Sequence, residues 1–100
     1  MESYNKLVRD GIPQILDEKG IPYERRTATP EEYRLELIKK LLEEAAELAT
    51  SGTPEELADV IEVIGALKKL PEFAEVEAIR ARKLQERGGF EERIILKGEK

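Results

Sequence analysis

Two acidic pairs carry most of the chemistry this chain can offer: Glu44-Ala-Ala-Glu47 and Glu56-Leu-Ala-Asp59, with eight residues between them. On a helix, i, i+3 spacing puts both members of a pair on one side. If two such helices pack side by side, four carboxylates can converge, and oxygen-only donors suit a hard cation such as Mg²⁺ or Mn²⁺. The same acids can equally be a solvated, salt-bridged helix face, and Glu56 also stands at the third position of a capping box. A wheel drawn at about 100° per residue places Glu56 inside the apolar arc of its helix, between Val63 and Leu67. Asp59 falls at the edge of that arc, between Leu70 and Ala66. Glu44 borders the apolar side of its own helix near Leu37 and Leu48, whereas Glu43 and Glu62 lean away. A carboxylate beside a core face is costly unless it is paired or coordinated. Geometry alone leaves a metal site and salt-bridged helix packing level.

Composition narrows the remaining chemistry. The 100 residues include no histidine and no cysteine. Ser–His catalysis, thiolate chemistry, disulfides and most zinc sites are thereby removed. The net charge of −5 gives no electrostatic reason to bind a nucleic-acid polymer or an anionic membrane. Phosphates remain accessible if a divalent ion stands between them and the carboxylates. Cations recur at Arg80, Lys83 and Arg87, at i, i+3, i+7. They either snorkel and pair with acids or neutralise phosphate. No signal-type or membrane-spanning apolar run occurs, which predicts a soluble, cytoplasmic protein.

The elements that must position these residues are mostly helical. Residues 12–19 read as a short helix with Pro13 in its first turn and Gly20 as its stop. Residues 21–28 look extended. Thr29-Pro30-Glu31-Glu32 is a capping box that opens a long helix to about Thr50, with Ile38, Leu41, Leu42, Ala45, Leu48 and Ala49 as its apolar stripe. The wording repeats at Thr53-Pro54-Glu55-Glu56, which opens a helix to about Leu70. The short connection predicts an antiparallel helical hairpin. Pro71 starts a third long helix to about Arg87, closed by Gly88-Gly89 as a left-handed cap. Residues 90–96 read as a strand able to pair with 21–28. One domain over 1–100 follows, all-α with a small two-stranded element. At this size only about 60–65% of the unfolded surface is buried, so self-association is expected.

The chain resembles the MazG-like all-α nucleoside-triphosphate pyrophosphatases. That superfamily carries E-x-x-E, a short spacer and E-x-x-D on adjacent helices, matched here by Glu44/Glu47 and Glu56/Asp59. The opening Tyr4-Asn5-Lys6-Leu7-Val8-Arg9-Asp10 and the late Arg87-Gly88-Gly89-Phe90-Glu91 are similar to a small house-cleaning branch, often labelled phosphoribosyl-ATP pyrophosphohydrolase-like. Gly11 departs from that branch, which carries Lys there. The resemblance implies that Glu44, Glu47, Glu56 and Asp59 hold one or two Mg²⁺, with Mn²⁺ as a substitute. It implies hydrolysis of a nucleoside triphosphate to monophosphate and pyrophosphate, with Glu47 as proton acceptor. Lys83, Arg87, Lys6 and Arg9 are the expected phosphate contacts, and a homodimer or homotetramer the expected assembly. Two alternatives stand beside it: a phosphoribosyl-ATP pyrophosphohydrolase of histidine biosynthesis, and a non-catalytic helical oligomerisation module.

Overall fold

The computed structural model describes residues 5–99; Tyr4, which opens the N-terminal motif, lies outside them. Four α-helices and one short 3₁₀ turn follow in order: α1 (Ile12–Glu18), α2 (Pro30–Ser51), α3 (Pro54–Lys68), the turn Pro71–Phe73, and α4 (Val76–Arg87). The all-α class is as the periodicity predicts.

Both capping motifs work at the backbone. Thr29 Oγ1 accepts the Glu32 N–H at 3.2 Å, and Thr53 Oγ1 accepts the Glu56 N–H at 3.3 Å. Each satisfies an otherwise orphaned helix donor, worth about 1 kcal/mol. Gly52, at φ 63° and ψ 24°, turns α2 into α3 through the left-handed region that favours glycine. The antiparallel α2–α3 hairpin so formed is the main helix–helix contact. Leu37 and Val63 are its buried apolar residues.

Three expectations need correction. No strand forms among the described residues, so the pairing of 21–28 with 90–96 is absent. Pro22 removes a donor from the first segment, and an isolated two-stranded ribbon is marginal in any case. In the second segment the chain turns, with Arg93 N–H donating to Phe90 O and Arg93 itself at φ 57°. The third long helix begins at Val76, not Pro71. Leu70 is extended at ψ 139°, as a residue before proline is pushed to be, and Pro71–Phe73 closes only a 3₁₀ turn. Gly88 ends α4 at φ 77° and ψ 177°, a positive φ without the left-handed helical ψ expected of its cap.

A single copy leaves a great deal of apolar surface in water. Its accessible area is 9426 Å², against about 5,800 Å² for a folded monomer of this mass. Its radius of gyration is 17.9 Å, against about 13 Å for a compact chain of this length. Leu57, Ile61 and Ile64 on α3 are exposed at i, i+4, i+7, as are Leu35 and Leu42 on α2. Phe90, Ile95 and Leu96 in the tail are almost fully exposed. No described helix is long and apolar enough to cross a membrane.

Candidate metal centre

The hairpin brings the late part of α2 against the start of α3, and three of the four predicted carboxylates meet there. Glu44, Glu56 and Asp59 each present an oxygen within 4.8 Å of the other two. Glu44 is only 8% exposed, and Glu56 and Asp59 are half-buried. The outward-leaning Glu43 and Glu62 are exposed, as the wheel predicts. Glu47 stands beside the cluster, near enough for its charge to reach Glu44, but is itself exposed, and with Thr50, Ser51 and Glu56 it lines a separate hollow of about 330 Å³.

The two TPEE motifs are alike in sequence and different in use. Both Glu32 carboxylate oxygens accept from Arg26, each at 2.6 Å, which holds Glu32 below the usual carboxylate range. So Glu32 is an ion-pair partner as well as a cap residue. Glu56 lacks such a partner: its Oε2 is buried with no hydrogen bond, and so is Glu44 Oε2. Orphaned carboxylate oxygens at this depth are expensive. Desolvation by burial and then the like charge of Glu47 push Glu44 above the ordinary carboxylate pKa; Lys40 opposes this and Asp59 adds to it.

Two cations partly offset the cluster. Arg9, in the arm before α1, donates from Nη2 to Asp59 Oδ1 at 2.7 Å. Lys40 Nζ lies 3.7 Å from Glu44 Oε1, one turn earlier on α2, and both side chains are largely covered. The salt-bridge reading therefore holds for these two contacts, while the two Oε2 atoms are left without explanation by it. An oxygen-only donor set with two unpartnered buried oxygens fits a hard divalent cation.

Beside the carboxylates the N-terminal arm, α1, α2 and α3 line an open cavity of about 1000 Å³. Its apolar wall includes Leu16, Leu37, Val63 and Tyr33. Its charged rim includes Lys6, Arg9 and Lys40 together with Glu44 and Asp59. Of the four predicted phosphate contacts, Lys6 and Arg9 are therefore here. Lys83 and Arg87 are not: both are exposed on α4 and outside this wall. The neighbouring Arg80 pairs with Glu77 at 3.1 Å, and Glu77 also takes Lys68 at 2.6 Å. Those two contacts hold Glu77 below its ordinary pKa, Lys68 first. Lys40 was missed by the sequence reading; its signal was the i, i+4 step to Glu44, a residue already placed near the apolar side.

Comparison with protein-family models, with curated proteins and with solved structures finds no match to this chain.

Proposed function

We propose that this chain is a Mg²⁺-dependent nucleoside-triphosphate pyrophosphatase of the MazG-like kind, acting on non-standard nucleotides. The observation that carries the reading is the pair of buried, unpartnered oxygens, Glu44 Oε2 and Glu56 Oε2, within a carboxylate cluster whose ligand atoms lie within 4.8 Å of one another. Glu44, Glu56 and Asp59 are the residues that would hold the ion, with Glu47 next to them on α2. When bound, Mg²⁺ supplies a polarised water and neutralises phosphate charge.

The remaining roles belong to the chain itself. Glu47 is exposed beside Glu56 and takes the proton of the attacking water. The new bond forms between that water oxygen and the α-phosphorus. The α–β phosphoanhydride bond breaks, and pyrophosphate leaves with its electron pair. Lys6, Arg9 and Lys40 on the cavity rim offset the phosphate charge, and the apolar wall with Tyr33 receives the nucleoside. Lys83 and Arg87 contribute only if a second copy delivers its α4 to this rim.

A second copy is part of the proposal. The exposed area exceeds that of a compact monomer by about 3,600 Å², the scale of obligate interfaces. The α3 face of Leu57, Ile61 and Ile64 is its natural seat.

The deciding experiment measures pyrophosphate release from a panel of standard and modified nucleoside triphosphates plus phosphoribosyl-ATP, with Mg²⁺ or EDTA, for wild type and Asp59→Asn. Mg²⁺-dependent release that disappears in Asp59→Asn supports the reading. Release from phosphoribosyl-ATP alone moves the substrate to histidine biosynthesis. A folded protein that releases nothing from any member refutes the enzyme and leaves a non-catalytic helical module.

A further inference from the structure

The acidic cluster already holds two cations, and a divalent ion entering it competes with both for the same carboxylates. Arg9 Nη2 occupies Asp59 Oδ1 at 2.7 Å, and Lys40 Nζ stands 3.7 Å from Glu44 Oε1. With Glu47, whose like charge reaches Glu44, four carboxylates and these two side chains carry two net negative charges, which one divalent ion would neutralise, leaving none over to hold both side chains. An ion ligated by Asp59 Oδ1 must also take the position that the guanidinium occupies. Arg9 is free to leave: its side chain is half exposed, it sits on a non-helical arm, and it lines the cavity into which a ligand would come.

We propose that Arg9 and Lys40 are exchangeable counter-ions that make the site accept a divalent cation together with an oligophosphate more readily than the cation alone. The proposal rests on the metal reading above. Without a ligand, the two cations screen Asp59 and Glu44. When an ion enters, it displaces them electrostatically, and both lie on the rim where phosphate oxygens would arrive. A bare ion at Asp59 Oδ1 must therefore move Arg9, and it weakens the hold of Glu44 on Lys40, with no anion to receive either, whereas a phosphate-bound ion brings the receiving anion with it. The competing receivers within the chain are Asp10 and Glu62, which also line the cavity. If Arg9 moves to either of them, phosphate gains nothing from the exchange. By reciprocity, the phosphate must strengthen cation binding by the same factor that the cation strengthens phosphate binding.

The test reads Mn²⁺ held by the full chain as the loss of free paramagnetic resonance signal beyond that of a protein-free mixture of the same composition, with and without imidodiphosphate as a non-hydrolysable oligophosphate. Wild type, Arg9→Gln, Arg9→Lys and Lys40→Gln are compared with Arg82→Gln, which removes the same charge from exposed α4. Circular dichroism checks that each variant is folded. In wild type, imidodiphosphate should tighten Mn²⁺ binding by about tenfold or more. Arg9→Gln and Lys40→Gln should each bind bare Mn²⁺ several-fold more tightly and lose most of the imidodiphosphate effect. Arg9→Lys should fall between them and wild type, and Arg82→Gln should match wild type. Unchanged or weaker bare Mn²⁺ binding in both Gln variants overturns the exchange while leaving the metal site standing. Tighter binding with an intact imidodiphosphate effect overturns the coupling and makes Arg9 a plain competitor. A wild type that binds no Mn²⁺ under either condition overturns the metal reading and the proposal with it.

Discussion

Asp59→Asn should invert its stability relative to wild type when Mg²⁺ replaces EDTA. Asp59 places a carboxylate oxygen within 4.8 Å of one from Glu44 and one from Glu56. Two like charges at that distance repel by about 1 kcal/mol in water and about 3.5 kcal/mol at an effective dielectric of about 20. Glu44 is buried while Asp59 is 40% exposed at its side chain, so the repulsion lies toward the lower of these figures. Against it stands the Arg9–Asp59 pair, which at this exposure contributes about 0–1 kcal/mol. Two repulsions outweigh one weak attraction, so the substitution should stabilise the cation-free protein by about 1 kcal/mol. For a domain of this length that raises Tm by about 4–8 °C. With Mg²⁺ at about 100 times its dissociation constant, wild type gains about 2.7 kcal/mol, and a variant with a broken site gains little. Differential scanning calorimetry at one fixed protein concentration reads both effects. An Asp59→Asn protein less stable than wild type in EDTA would refute the electrostatic reasoning. Equal Mg²⁺ shifts in both proteins would refute the site.

Other outcomes follow from the same geometry. Glu44 has its pKa raised by burial, so its stabilising protonated form is fully present below its ordinary value of 4.5 and is lost as pH rises through the raised one. Glu44→Gln should therefore melt above wild type at neutral pH in EDTA, with the advantage vanishing as pH falls to about 4.5. Glu32 has the opposite sign: Arg26 lowers its pKa, so its contribution is present above the ordinary value and lost as pH falls through the lowered one. Glu32→Gln should melt below wild type at neutral pH and converge with it in acid; parallel pH curves for the two variants would contradict the assignment. Ile61→Glu, on the exposed α3 face, should shift sedimentation from oligomer toward monomer or unfolded chain, and an unchanged oligomer would remove that face from the interface. Steady-state kinetics should show KM for a nucleoside triphosphate rising about tenfold or more in Lys40→Gln, and less in Lys83→Gln; the reverse order would place α4 of a second copy on the phosphate.

Much of the local architecture was legible because it rests on local chemistry. Thr29 and Thr53 cap as their motifs predict and Gly52 turns one helix into the next, but the α2 stripe was misplaced: its Leu42, Ala45 and Ala49 are exposed, while Leu37 and Glu44, outside it, are the buried residues of that helix. The wheel turned Glu44, Glu56 and Asp59 toward packing surfaces, but it set Glu56 deepest, whereas Glu44 is the buried one and Glu56 and Asp59 are half-buried. Two further readings failed, one for want of a distant partner and one on a local ambiguity. The strand reading of 21–28 and 90–96 needed each segment to find the other, and nothing within either segment encodes that pairing. The start of α4 was misread because Pro71 suits a helix's first turn as well as a 3₁₀ turn, and only the extended Leu70 decides between them.

The cations carry the same lesson into the site. Arg80, Lys83 and Arg87 drew attention because they repeat along one helix, yet the charges that reach the carboxylates are Arg9, fifty residues away from Asp59 in sequence, and Lys40, hidden in a run of helix formers. Periodicity reveals which residues share a face; it is silent about which face meets another element. The two Glu residues of the repeated TPEE motif make the point most sharply. Glu32 and Glu56 share the same motif wording, each three residues after its capping threonine, though only Glu56 has an acid three residues further on. An arginine on the preceding loop claims both oxygens of one, while the other has a buried, unpaired oxygen and belongs to the cluster with Glu44 and Asp59. Within the motif itself a capping role and a ligand role look the same, and what the fold brings alongside each residue makes Glu56 a candidate ligand and Glu32 none.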